Sequence, residues 1–190
     1  FVTVFEGAAT GKELVTGVRI LPAPAGAPAD LAVIEVQTRE GTDVFLSALT
    51  PTPVTCTTTL GDLTTDGRFT GLLGLKDRPQ QACLVGGSRL EAPGVKLSSP
   101  AASYRGDITD KGRELTDSWF VLEGALPPAN LLKGATLLVT DGDYTRAYPV
   151  RDVETDGARL KAHTKRDAVG VQAFAGTAWE VLPIVSWRNP

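Results

Sequence analysis

The sequence predicts an all-β chain, folded as a β-sandwich of about a dozen short, mainly antiparallel strands. Three observations lead there. Apolar residues recur with period two in short runs, and Gly, Pro and Asp separate those runs. No stretch repeats the apolar spacing i, i+3, i+4, i+7 that an amphipathic helix requires.

The elements follow in order. Phe1, Val2, Thr3, Val4 and Phe5 open the chain in a strand-like run. The segment 22–28 (PAPAGAP) cannot supply ladder donors at its prolines and reads as a loop. Ile34 and Val36 alternate with Glu35 and Gln37, so the apolar pair is expected to face the core. Over residues 54–60, Val54, Cys56 and Leu60 take one face and Thr55, Thr57 and Thr59 the other.

Three Asp-Gly pairs, at Asp66–Gly67, Asp141–Gly142 and Asp156–Gly157, each read as a hairpin turn. Gly86, Gly87 and Gly94 cut the region after Cys83 into short pieces. Residues 126–134 are interrupted by proline and leave room for one helical turn at most. A shift toward Gly, Asp and Lys over 100–117 marks a division between two sheets or subdomains. Residues 1–190 are otherwise expected to form a single sandwich-type domain, and the Met-free chain reads as the C-terminal part of a longer one.

Composition narrows the partners. Apolar residues make up 42% and charged residues 22%, ordinary for a globular chain. A formal net charge of −3 argues against nucleic acid, which needs a concentrated basic face. Lys161, Lys165 and Arg166, the last two beside Asp167, read as solvated loop charges. No run approaches the roughly 20 apolar residues that span a bilayer as a helix.

The residues that could carry chemistry do not assemble into a motif. His163 is the single histidine, and neither a nucleophile elbow nor a family-specific cysteine motif accompanies it. Asp107, Asp110, Glu114 and Asp117 read as surface loop charges. Asp141, Asp143, Thr145 and Asp152 have part of a calcium-loop spacing, but Arg146 stands where the sharp turn needs Gly. Phosphate-binding glycine motifs are absent from the sequence, so no catalytic residue, metal or cofactor is assigned.

Cys56 and Cys83 fall in separate strands, either as two unconnected core thiols or as a disulfide. A bridge would constrain the unfolded chain by about 3.6 kcal/mol in the entropic account. Among the aromatics, Trp187, Tyr144 and Tyr148 are the candidates for stacking on a sugar ring. Tyr144 and Tyr148 share parity with Val150, and Trp119, in an apolar run, is expected to be buried.

Several segments together resemble the C-terminal β-sandwich region of heparinase II/III-like polysaccharide lyases. They are the opening run 1–6 (FVTVFE), the strand, double-glycine turn and strand of 81–90 (QACLVGGSRL), then 104–108 (YRGDI) and 120–124 (FVLEG), and finally 147–153 (AYPVRDV) with its Asp156–Gly157 turn. The resemblance covers nearly the whole chain. It implies a non-catalytic scaffold or substrate-orienting domain in a periplasmic or extracellular protein. Its partners would be upstream catalytic domains of the same protein, which cleave acidic polysaccharide by β-elimination. A fold does not confer activity on its own, so two other readings stand beside it: an autonomous carbohydrate-binding module, and a structural or adhesion β-sandwich with a broad apolar docking face.

Overall fold

The computed structural model describes residues 14–113, 118–164 and 178–189. The opening run 1–6, Glu114, Asp117, Lys165, Arg166 and Asp167 lie outside the described residues. The chain is all-β and its strands pair antiparallel, with sixteen strands among the described residues rather than about a dozen. They divide into two compact units that meet in sequence between Ala102 and Ser103, within the composition shift, and the strand after Pro183 returns to the first unit.

The first nine strands are β1 (Val15–Leu21), β2 (Ala32–Thr38), β3 (Thr42–Ser47), β4 (Val54–Thr58), β5 (Gly61–Thr65), β6 (Phe69–Leu75), β7 (Arg78–Val85), β8 (Arg89–Ala92) and β9 (Val95–Ser98). The next six are β10 (Tyr104–Arg113), β11 (Ser118–Ala125), β12 (Thr136–Asp141), β13 (Tyr144–Asp156), β14 (Arg159–Thr164) and β15 (Ala178–Val181). A four-residue helix, α1 (Ala129–Leu132), follows two prolines between β11 and β12, and β16 (Ile184–Arg188) comes last.

In the first unit, a six-stranded sheet in the order β1-β2-β3-β6-β7-β16 accompanies a four-stranded sheet in the order β4-β5-β8-β9. Residues of both sheets share two apolar clusters. Val44, Leu72 and Leu84 of the larger sheet pack with Leu63, Leu90 and Leu97 of the smaller one, and Val33 and Leu46 pack with Val54 and Cys56. Burying side chains of this size contributes about 1.5–3 kcal/mol each. Over residues 54–60, Val54, Cys56, Thr58 and Leu60 are buried and the residues between them exposed, as alternation predicts.

Asp66–Gly67 makes no hairpin, because β5 and β6 belong to different sheets and the chain crosses between them at this point. The Asp66 carboxylate instead accepts hydrogen bonds from the Ser88 amide and the Arg89 amide, both at 2.8 Å, and from the Ser88 hydroxyl at 2.6 Å. It thereby joins this crossing to the β7–β8 crossing. The burial expected in β2 holds for Val36, which is buried, and Gln37, which is exposed, but not for the other pair: Glu35 is fully buried beside the core residue Val33, and Ile34 is half-buried. Arg19 and Thr59 supply the donors that make this tolerable, since a buried carboxylate without partners would be very costly.

The second unit is a closed barrel, β10-β11-β14-β13-β12-β15, in which β15 pairs with both β12 and β10. Closure removes the unpaired edges that an open sheet would leave. Phe120, Leu122, Leu137, Tyr148, Val150 and Trp179 are among its buried residues. Phe120 and Tyr148 meet edge to face at 5.2 Å, and the Trp179 indole N–H donates to the Glu123 carbonyl at 3.0 Å. Asp141–Gly142 and Asp156–Gly157 are hairpin turns here, both glycines having positive φ.

Candidate functional site

The three aromatics that sequence reasoning put forward as a sugar platform do not come together. Tyr144 sits at the β12–β13 hairpin opposite Asp141 and is 76% exposed, whereas Tyr148 is buried in the barrel. Equal parity therefore gave one exposed and one buried ring, because β13 runs beyond the barrel core at its first residues. Trp187 belongs to the first unit, where it pairs with the buried Ala82 and packs half-buried against the core cluster. Its edge borders a pocket of about 310 Å³ with Pro79, Pro93 and Gly94.

Asp107 and Asp110 are exposed on strand β10 rather than in a loop. His163 is buried near the end of β14, with Nε2 at 3.4 Å from a Glu154 carboxylate oxygen. Trp119, expected to be buried, is half-buried, and the Lys161 ammonium lies 4.5 Å from its ring centroid. Among the described residues, no group of three or more His, Cys, Asp or Glu side chains is arranged to hold a metal ion. No helix of the described chain is long and apolar enough to cross a membrane.

Cys56 and Cys83 are both free thiols, so the disulfide alternative is not formed. Cys56 faces the core between the sheets. Cys83 alternates with the core residues Ala82 and Leu84 and therefore points to the opposite side of the six-stranded sheet. The sheet itself lies between them. Burial pushes both thiols above their ordinary pKa.

That opposite side of the six-stranded sheet is where unexplained surface lies. Direct pairing puts Ile20, Ile34, Phe45, Gly71, Cys83 and Ser186 in one row across all six strands. Residues two positions away add Val18 on β1, Phe69 and Leu73 on β6, and Ile184 on β16. Ile20 is 66% exposed, Ile184 65% and Val18 47%. The sheet is thus apolar on both faces.

Over β6, β7 and β16 this face holds a groove of about 500 Å³. Phe45 and Phe69, stacked with centroids 6.2 Å apart, line it together with Gly71 and Leu73. Gln81, Ser186 and Arg188 contribute its polar lining. Sequence reasoning passed over these residues, although a signal existed. Unbroken apolar runs at Val44, Phe45 and Leu46, at Leu72 and Leu73, and at Leu84 and Val85 cannot all face one side of a sheet.

Comparison of the chain with protein-family models, with curated proteins and with solved structures gives no match.

Proposed function

We propose that the chain is a non-catalytic β-scaffold that docks against catalytic domains of the same protein through the outer face of its six-stranded sheet. The observation that carries this reading is the exposed apolar surface of β1 and β2. Val18 and Ile20 stand in water on a regular sheet face, with half-buried Ile34 beside Ile20. Contiguous apolar surface of this kind marks interaction sites, because covering it gains about 25 cal/mol per Å². The resemblance of residues 1–6, 81–90, 104–108, 120–124 and 147–153 to heparinase II/III-like lyases supplies the rest. On it, the docked domains cleave acidic polysaccharide by β-elimination outside the cytoplasm, and this chain holds or orients them. The sugar-module alternative draws no comparable support, since Tyr144 is exposed alone, Tyr148 is buried in the barrel, and half-buried Trp187 belongs to the other unit.

The test begins with the intact mass of the natively expressed gene product, followed by an ultraviolet assay for unsaturated uronate on that product and on this chain. A larger, active product beside an inert chain is expected. Ile20→Asp should then lower the melting temperature of the larger product while leaving that of the isolated chain within a degree or so. A gene product of 20.0 kDa would overturn the reading.

A further inference from the structure

We propose that the groove over β6, β7 and β16 binds a small anionic amphiphile, an aliphatic or aromatic group of roughly eight to ten carbons that carries a carboxylate. Shape gives the apolar half of this ligand. Gly71 forms the floor, and a Cβ added there would lie 3.5 Å from the Phe69 ring and 3.6 Å from the Phe45 ring. Any larger side chain at this position would occupy the space that the two rings flank. Phe69 and Leu73 are each 38% exposed, so the walls meet water in the empty groove. A volume of about 500 Å³ is that of a small-molecule site.

Charge gives the other half. Gln81 pairs directly with Arg188, and Cys83 with Ser186, so the polar groups are grouped on β7 and β16, where Trp187 also borders the groove, while the phenylalanine walls stand on β3 and β6. The Arg188 guanidinium takes part in no hydrogen bond or ion pair among the described residues, and neither the Gln81 amide nor the Ser186 hydroxyl makes a side-chain hydrogen bond there. A guanidinium with its donors free matches a carboxylate in geometry and charge. One cation is too few for a polyanion, whose binding rests on several neutralised charges. A neutral sugar could stack on the rings but would leave the Arg188 charge without a counter-ion. A head and a tail fit.

This inference does not depend on the scaffold reading, and the chain alone suffices to test it. The chain is titrated with 1-anilinonaphthalene-8-sulfonate at pH 8, and the dye is displaced with decanoate or with decanol below micellar concentrations. Decanoate is expected to compete at one site, about tenfold more tightly than decanol. Arg188→Gln should weaken decanoate about tenfold and leave decanol unchanged. Leu73→Glu places a carboxylate at the groove wall and should weaken decanoate further. Both positions are exposed, and the melting temperature of each variant reports that it is folded. Equal affinity for acid and alcohol, indifference to Arg188→Gln, or no saturable displacement by a folded chain would each overturn the proposal. The last result would leave the groove as part of the docking face, with the scaffold reading intact.

Discussion

The Arg19 guanidinium meets the Glu35 carboxylate across β1 and β2 at 2.6 Å, on a sheet face where the arginine is half exposed and the glutamate is sealed from water. Thr59, at the turn between β4 and β5, donates its amide to the other carboxylate oxygen at 2.6 Å and its hydroxyl, at 2.9 Å, to the oxygen that Arg19 holds. Glu35 therefore links the two sheets of the first unit. Glu35→Ala strands these donors and should cost about 3 kcal/mol, read as a lower urea midpoint at unchanged slope. Arg19→Ala should cost less, about 1–2 kcal/mol, because Thr59 still holds the carboxylate and the lost charge was partly screened. A Glu35→Ala cost below about 0.5 kcal/mol would show that the link is not formed in solution.

The same group sets a pH dependence. Burial pushes the Glu35 carboxyl up, but the Thr59 amide, the Arg19 guanidinium and the Thr59 hydroxyl together pull it below its ordinary 4.5. A depressed carboxyl stabilises the fold fully above the unfolded value, and that contribution is lost as pH falls from 4.5 through the folded value. Asp43 runs the other way. Burial raises it above 3.8, only partly offset by the Gly74 amide, so its contribution is present below 3.8 and lost as pH rises through the folded value. Urea midpoints measured downward from pH 6 should therefore fall, and Glu35→Gln should flatten the slope below 4.5. In Asp43→Asn the drop should steepen, since the opposing group is gone. An unchanged slope in Glu35→Gln would assign acid sensitivity to other carboxylates.

Glu35 also marks the limit of what the sequence discloses. Period-two patterning, the Asp-Gly turns at residues 141 and 156, and the proline-interrupted segment 126–134 were legible because each is a local property of a few neighbouring residues. The burial of Glu35 was not, because the pattern Ile34, Glu35, Val36 assigns the acid to water unless Arg19 and Thr59 are known to stand beside it. Asp66–Gly67 carries the residues of a hairpin turn, yet whether β6 pairs with β5 or crosses to another sheet depends on distant partners. The groove was hidden for the same reason: Phe45, Gly71 and Ser186 share a row only through the register of four strands.

The β10–β11 pair of the barrel contains a close backbone contact with no sequence signature. Gly106 and Gly124 pair directly across β10 and β11, and a Cβ on Gly106 would overlap the Glu123 carbonyl oxygen. Backbone cannot yield as a flexible side chain can. Gly106→Ala should therefore destabilise the barrel by about 3 kcal/mol or more, seen in the fluorescence of buried Trp179 and in the thermal midpoint. Gly157→Ala is the control, since its added Cβ meets open space and incurs only the cost of positive φ, about 1 kcal/mol. Equal costs at the two positions would mean that close approach of β10 and β11 is not required.

The two thiols should separate by reactivity. Cys56 is buried at 4% exposure among Val33, Leu46 and Val54, while Cys83 is half-buried at the groove. The thiolate is the reacting form, and burial raises both pKa values, so labelling by a disulfide reagent should be slow at pH 7 for either. In the native chain one equivalent should react, faster as pH rises toward 9, and Cys83→Ser should abolish it. Decanoate should slow the same reaction if it fills the groove beside that sulfur. In denaturant without reductant two equivalents should appear, matching the two cysteines of the chain. Finding none there would mean that the thiols are bridged, which requires Cys83 to leave the outer face of the sheet and β7 to give up its register with β6 and β16.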